Sequence, residues 1–158
     1  MSISLNTQVD DFTAHSTGGD FTLSAHRGTQ IVLYFYPKDN TPGCTTEGLA
    51  FAQHHDAFAA ANTRVLGISR DGLKKHDNFK QKQCFPFELI SDPDEQLCRQ
   101  FDVIKLKKLY GKEYEGIVRS TFLIDAHGRL AKEWRNIKVA GHVEDVLDAA
   151  RILHDKTT

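Results

Sequence analysis

The stretch YFYPKDNTPGCTTEG, residues 34–48, places a cysteine directly after an apolar run and a proline-bearing turn. Thr41 followed by Pro42 reads as a helix N-cap and first residue. The hydroxyl can accept a backbone donor, and the ring presets a helical φ while giving up an amide that has no helical partner there. Cys44 is then the third residue of the helix. First-turn amides point outward and the macrodipole is positive at that end, so the charged thiolate, the nucleophilic form, is favoured over the thiol. Thr41 lies one turn away on the same face, and its hydroxyl can bond the sulfur or an oxygen brought to it. Pro37, at the end of the apolar run, adds a rigid wall without a donor that can keep water off the sulfur. Singly, Thr41 and Pro37 read as turn formers; grouped with Cys44 they frame a site for nucleophilic sulfur chemistry.

The flanking pattern supplies elements to hold such a site. QIVLYFYP is an almost continuous apolar run rich in β-branched and aromatic residues, as expected for a strand covered on both faces. A helix is expected from Thr41 to about Asn62, with Phe51 and Phe58 two turns apart on one face. Cys44 thus stands at the carboxyl end of a central parallel strand, the edge of an open α/β sheet where ligands bind. Upstream, DDFTAHSTGGDFTLSAHRG reads as a hairpin about its Gly-Gly-Asp turn. Downstream, TRVLGIS is a strand, DGLKKHDNFKQKQC has loosely helical spacing through Leu73, Asp77 and Phe79, and Pro86 introduces a short strand in CFPFELIS. PDEQLCRQFDV opens with proline and acids, which suits the first turn of a helix. RSTFLIDAHGRLAKEWR is two strands joined at His-Gly, and HVEDVLDAARILH carries Val143, Val146, Leu147, Ala150 and Leu153 on one stripe. That order calls for a mostly parallel sheet with an antiparallel edge and helices on both faces.

Composition sets the frame. The 158 residues, 40% apolar and 26% charged, suit one globular domain over 1–158. Twenty basic against twenty-one acidic residues leave a net charge of -1, which excludes a global field for nucleic acid or an anionic membrane. The charge-dense IKLKKLYGKEYEG reads as a solvated loop rather than a nucleic-acid patch. The start MSISLNTQVDDF lacks a basic stretch followed by an apolar one, and IVLYFY is too short to span a bilayer, so a cytoplasmic protein is expected. Three cysteines at 44, 84 and 98 make neither a disulfide framework nor a Cys-x-x-Cys pair, which fits a reducing compartment.

YPKDNTPGCTTE reproduces the Pro-x-x-x-Thr-x-x-Cys motif of the peroxiredoxins and closely resembles the peroxiredoxin Q subfamily, also known as bacterioferritin comigratory proteins. GISRD, FELISDPDEQLCRQFDV, YGKEYEGIVRSTFLID and WRNIKV are similar to the corresponding stretches, so the resemblance covers most of the chain. It implies a thioredoxin-like fold with an added N-terminal hairpin and a thiol peroxidase that needs no metal or organic cofactor. Cys44 would attack the O–O bond and become a sulfenic acid. Thr41 would hold the peroxide, Pro37 would shield the pocket, and Arg119 in VRSTFLID matches the family arginine that favours the thiolate and the departing oxygen. Without the resemblance, Arg119 is an ordinary cation at a strand start. Glu47, on the turn after Cys44, is placed to orient that arginine, although a glutamate on a helix is more often simply solvated.

Two departures from the subfamily matter. A resolving cysteine is often found five residues after the peroxidatic one, where this chain has Leu49, or in the next helix at the place of Lys80. Cys84, one turn beyond Lys80, could reach Cys44 if the intervening helices unravel to bring the Cα atoms within about 7 Å. The alternative, which the mismatch favours, is a one-cysteine enzyme whose sulfenate is reduced by thioredoxin, or by glutathione and glutaredoxin. Hydroperoxides are the expected substrates and a monomer or weak dimer the expected state. Cys98 reads as a small buried residue. A redox-sensing or chaperone-like protein switched by the same oxidation is the second reading. A cysteine hydrolase ranks below both because no histidine lies in a local nucleophile motif. His54 and His55 are adjacent and share no helical face, and no Cys or His pair has metal-ligand spacing. His76, His127 and His142 read as surface or turn residues, and Trp134 as core or half-buried packing.

Overall fold

The computed structural model describes residues 3–157. Nine strands and five α-helices follow in the order β1 (Thr13–Ser16), β2 (Gly19–Thr22), β3 (Gln30–Phe35), α1 (Pro42–Gln53), α2 (His55–Ala60), β4 (Thr63–Ser69), α3 (Leu73–Gln83), β5 (Glu88–Ser91), α4 (Gln96–Gln100), β6 (Ile104–Leu109), β7 (Lys112–Ile117), β8 (Ser120–Ile124), β9 (Leu130–Trp134) and α5 (His142–Thr157). Seven strands form one sheet in the order β2-β1-β5-β4-β3-β8-β9. Its centre, β5-β4-β3, is parallel, and antiparallel pairs extend it on both sides.

The apolar run of β3 explains the layering. All six of its residues are buried, and successive side chains go to opposite faces. Ile31, Leu33 and Phe35 enter a core with Leu97, Cys98 and Phe101 around α4. Val32, Tyr34 and Tyr36 enter a second core with Phe51, Phe58, Phe79 and Val146, contributed by α1, α2, α3 and α5. The crossovers from β3 to β4 and from β4 to β5 step the same way across the sheet, so right-handed connections put α1, α2 and α3 on one face. The chain order diverges at β3, with β4 on one side and β8 on the other. The carboxyl end of β3 is therefore the switch point of the sheet, and the loop to α1 opens there.

Several expected boundaries move. The helix from Thr41 is broken at His54, whose φ of -99° and ψ of 12° end α1; α2 restarts at His55, and the Phe58 and Phe51 ring centroids lie 5.8 Å apart. α4 begins at Gln96 rather than at Pro93, because Glu95 sits in the left-handed region at φ 63° and Asp92 reaches forward to accept the Leu97 and Cys98 amides. The first hairpin turns at Thr17 and Gly18, with Gly19 at φ 102° already opening β2. IKLKKLYGKEYEG is no loop: it folds as the separate two-stranded sheet β6-β7, with Leu106, Leu109 and Tyr110 exposed.

Candidate active site

Cys44 sits in the first turn of α1, above the carboxyl end of β3, and is 2% exposed. Thr41 occupies the N-cap with an extended backbone, as expected, and its carbonyl accepts from the Thr45 amide. Its side chain does not cap the helix. The Oγ1 hydroxyl donates instead to Lys38 O at 2.8 Å, closing the turn that leads into α1. A β-turn carbonyl three residues back is within reach, and the hydroxyl proton is spent there. Pro37 is partly buried just beyond β3, on the same loop.

Arg119 arrives from the segment between β7 and β8. One arm of its guanidinium, Nη2, donates to Cys44 Sγ at 3.4 Å, and the other, Nη1, donates to Glu47 Oε1 at 2.5 Å. The fork thus bridges two residues one helical turn apart. Gly43 leaves room for it: a Cβ there would stand 3.2 Å from Nη2. Glu47 is not the solvated residue its helical position suggests, since its side chain is fully buried. Burial pushes its carboxyl up to about 7, and the attraction of Arg119 only partly offsets that. Burial pulls the Arg119 guanidinium down, but Glu47 and Cys44 outweigh it and hold the group above its ordinary value. A cation with a fixed partner on one arm and a sulfur on the other stabilises negative charge on that sulfur. Lys107 of β6 shares this field, and burial followed by the nearby Arg119 holds its ammonium below the ordinary range.

Beneath the site lies an aromatic floor. Tyr34 stacks on Phe51 at 4.5 Å, and burial, then Glu47 and Cys44, push its phenol well up. Its hydroxyl and Glu47 Oε2 are buried oxygens without a hydrogen-bond partner among the described residues. Cys84 lies elsewhere, exposed at the end of α3 with φ 57°. Its neighbour Phe85 is buried against α1, where Gly48 has no side chain; a Cβ there would meet the Phe85 ring at 2.5 Å. Cys98 is buried, and burial followed by Asp92 excludes its thiolate. Cys44, Cys84 and Cys98 are all free thiols.

Two histidines are not where the sequence suggests. His142 is 5% exposed, accepts or donates at 2.9 Å with Thr121 Oγ1, and burial lowers its imidazole to about 4. His76 is fully buried and joins Asp39, in the loop between Pro37 and Thr41. The only sequence cue to that pair is apolar Phe79 three residues after His76, which puts the histidine on the buried face of α3.

Residues 5–133 match the AhpC/TSA family. The chain belongs to that family. Peroxiredoxin Bcp of Xanthomonas campestris is 55% identical over 136 residues, 86% of this chain and 85% of the relative. Peroxiredoxin Bcp of Bacillus subtilis is 46% identical over 157 residues, covering 99% of this chain and all of the relative. The solved structure of Xanthomonas campestris Peroxiredoxin Q superposes with a TM-score of 0.89 at 50% identity, covering 96% of this chain and 97% of the other. The thioredoxin-like peroxiredoxin fold follows, and with it thiol-dependent peroxidase activity as the class of reaction. No helix among the described residues is long and apolar enough to cross a membrane.

Proposed function

We propose that this peroxiredoxin reduces hydrogen peroxide and small organic hydroperoxides through a sulfenic acid at Cys44. The observation that carries the reading is the Arg119 fork, which donates to Cys44 Sγ while Glu47 holds its other arm. The thiolate sulfur attacks the outer, hydrogen-bearing oxygen of the peroxide. The S–O bond forms as the O–O bond breaks, sulfur loses two electrons, and the departing oxygen takes a proton to leave as water or an alcohol. Arg119 stabilises charge on the sulfur before the step and on the leaving oxygen after it. Thr41, its proton committed to Lys38, offers an acceptor to the peroxide O–H. Pro37 walls the loop side of the pocket. No metal or organic cofactor enters the reaction.

An external thiol restores the enzyme: it displaces the sulfenic oxygen as water to give a mixed disulfide, and a second thiol releases Cys44. Thioredoxin, or glutathione with glutaredoxin, supplies that chemistry, and a cytoplasmic setting keeps it available. A second route, a disulfide with Cys84, is favoured by one observation, the seating of Phe85 against α1 beside Gly48.

The test is to add one equivalent of peroxide to reduced protein without thiol and map the products by mass. Rapid consumption with a trappable sulfenic acid at Cys44, and neither in Cys44→Ser, is expected. Cys44 left intact beside unspent peroxide would refute the reading. A Cys44 to Cys84 link would select the second route.

A further inference from the structure

The loop that carries Pro37 and Thr41 is anchored from beneath by groups outside the peroxide-reducing site. His76 of α3 has both ring nitrogens against acceptors: Nε2 stands 2.9 Å from Ile90 O, and Nδ1 stands 2.6 Å from Asp39 Oδ2. A carbonyl only accepts, so Nε2 carries a proton. A contact of that length between a ring nitrogen and a carboxyl oxygen needs a second proton on the line between them. Both partners have no exposed side-chain surface, so water does not compete for it.

Asp39 is gripped at two further points. Its other oxygen accepts from the Tyr36 hydroxyl at 2.6 Å, and its amide donates to Asp71 Oδ2 at 2.8 Å. Asp71 is itself fixed by Ser69 at 2.7 Å and Lys75 at 2.9 Å. The ligand atoms of Asp39, Asp71 and His76 lie within 4.8 Å of one another, as in a cation site, but each of them is already engaged in these hydrogen bonds. Next to Asp39, Asn40 holds φ at 64°, the left-handed region. A non-glycine residue there costs about 1 kcal/mol and persists only where its surroundings dictate it. The loop is thus held in a shape it would not keep by itself, and Asp39 is the point at which it is held.

We propose that His76 is a positioning residue for peroxide reduction: by fixing Asp39 it sets where Pro37 and Thr41 stand over Cys44. The inference rests on the reading of Cys44 as the peroxide-reactive sulfur. It separates two functions of the site, because the loop shapes the space for the peroxide while Arg119 acts on the sulfur from another element.

Two amides split the contacts of His76. His76→Asn puts a donor near the place of Nδ1, toward Asp39, and His76→Gln puts one near the place of Nε2, toward Ile90. In a Cys84→Ser background, the rates at which Cys44 reacts with hydrogen peroxide and with iodoacetamide are followed by peptide mass, beside thermal unfolding of each variant. His76→Gln should slow the peroxide reaction by about tenfold or more while alkylation changes by less than about threefold, since a displaced loop costs alignment more than thiol reactivity. His76→Asn should recover most of that loss. Should His76→Gln fail to fold, Asp39→Asn replaces it with the same expectation. Equal slowing in the two His76 variants, equal slowing toward both reagents, or an unchanged peroxide rate would overturn the proposal. An unaltered protein whose Cys44 alkylates but ignores peroxide would instead overturn the functional reading on which it stands.

Discussion

Replacing Glu47 with glutamine tests whether a buried carboxyl one helical turn from Cys44 titrates near neutrality. The substitution keeps size and an oxygen for Arg119 Nη1 but removes the charge. The carboxyl shifts from 4.5 to about 7 on folding because burial outweighs Arg119. Between those values the folded protein binds more protons at this group than the unfolded chain does, so stability falls as pH rises. The contribution is fully present below about 4.5 and is lost as pH passes through about 7. Integrated from pH 5 to pH 8, the wild-type protein should lose about 2.5 kcal/mol relative to Glu47→Gln. The assay is urea unfolding of both proteins at half-unit steps over that range, reading the difference in unfolding free energy. Taking the difference cancels groups common to both, including His142, whose imidazole at about 4 gives the opposite slope. Parallel curves, differing by less than about 0.5 kcal/mol in slope over the range, would refute the argument that burial dominates at Glu47.

Arg119→Lys replaces a planar fork by a single ammonium that cannot reach Cys44 and Glu47 together, so stopped-flow oxidation of Cys44 should slow by about a hundredfold; a rate within about threefold of wild type would remove Arg119 from the chemistry. Gly48→Ala should destabilise by about 1–2 kcal/mol in urea unfolding, because the gain in helix propensity is smaller than the cost of pushing Phe85 aside; a more stable variant would show that the ring yields freely.

What the sequence discloses here is what local pattern encodes. β3 reads as a two-sided buried strand because every residue of QIVLYF is apolar or amide, and both of its faces are indeed covered. The Thr41-Pro42 start and the placement of Cys44 follow from a few adjacent residues. Glu47 does not, because its burial is imposed by Arg119, 72 residues away along the chain. His76 misleads for the same reason: α3 is polar apart from Leu73 and Phe79, and what buries the histidine is the Asp39 loop and β5. The β6-β7 pair shows the opposite failure. Ile104 and Leu106 alternate with lysines at the period of a strand, and Gly111 at φ 77° marks the turn, but charge density obscures the pattern.

The bare backbone at Gly48 gives the end of α3 the character of a peg in a smooth socket. Phe85 rests on a surface with no interdigitating side chain at that point, so it can withdraw without unthreading a neighbour. Exposing one such ring costs about 3 kcal/mol, which puts the withdrawn form in fewer than about one molecule in a hundred. Cys84, directly attached to the peg, travels with it. Any thiol chemistry that needs Cys84 lifted off α1 then runs no faster than that rare excursion allows.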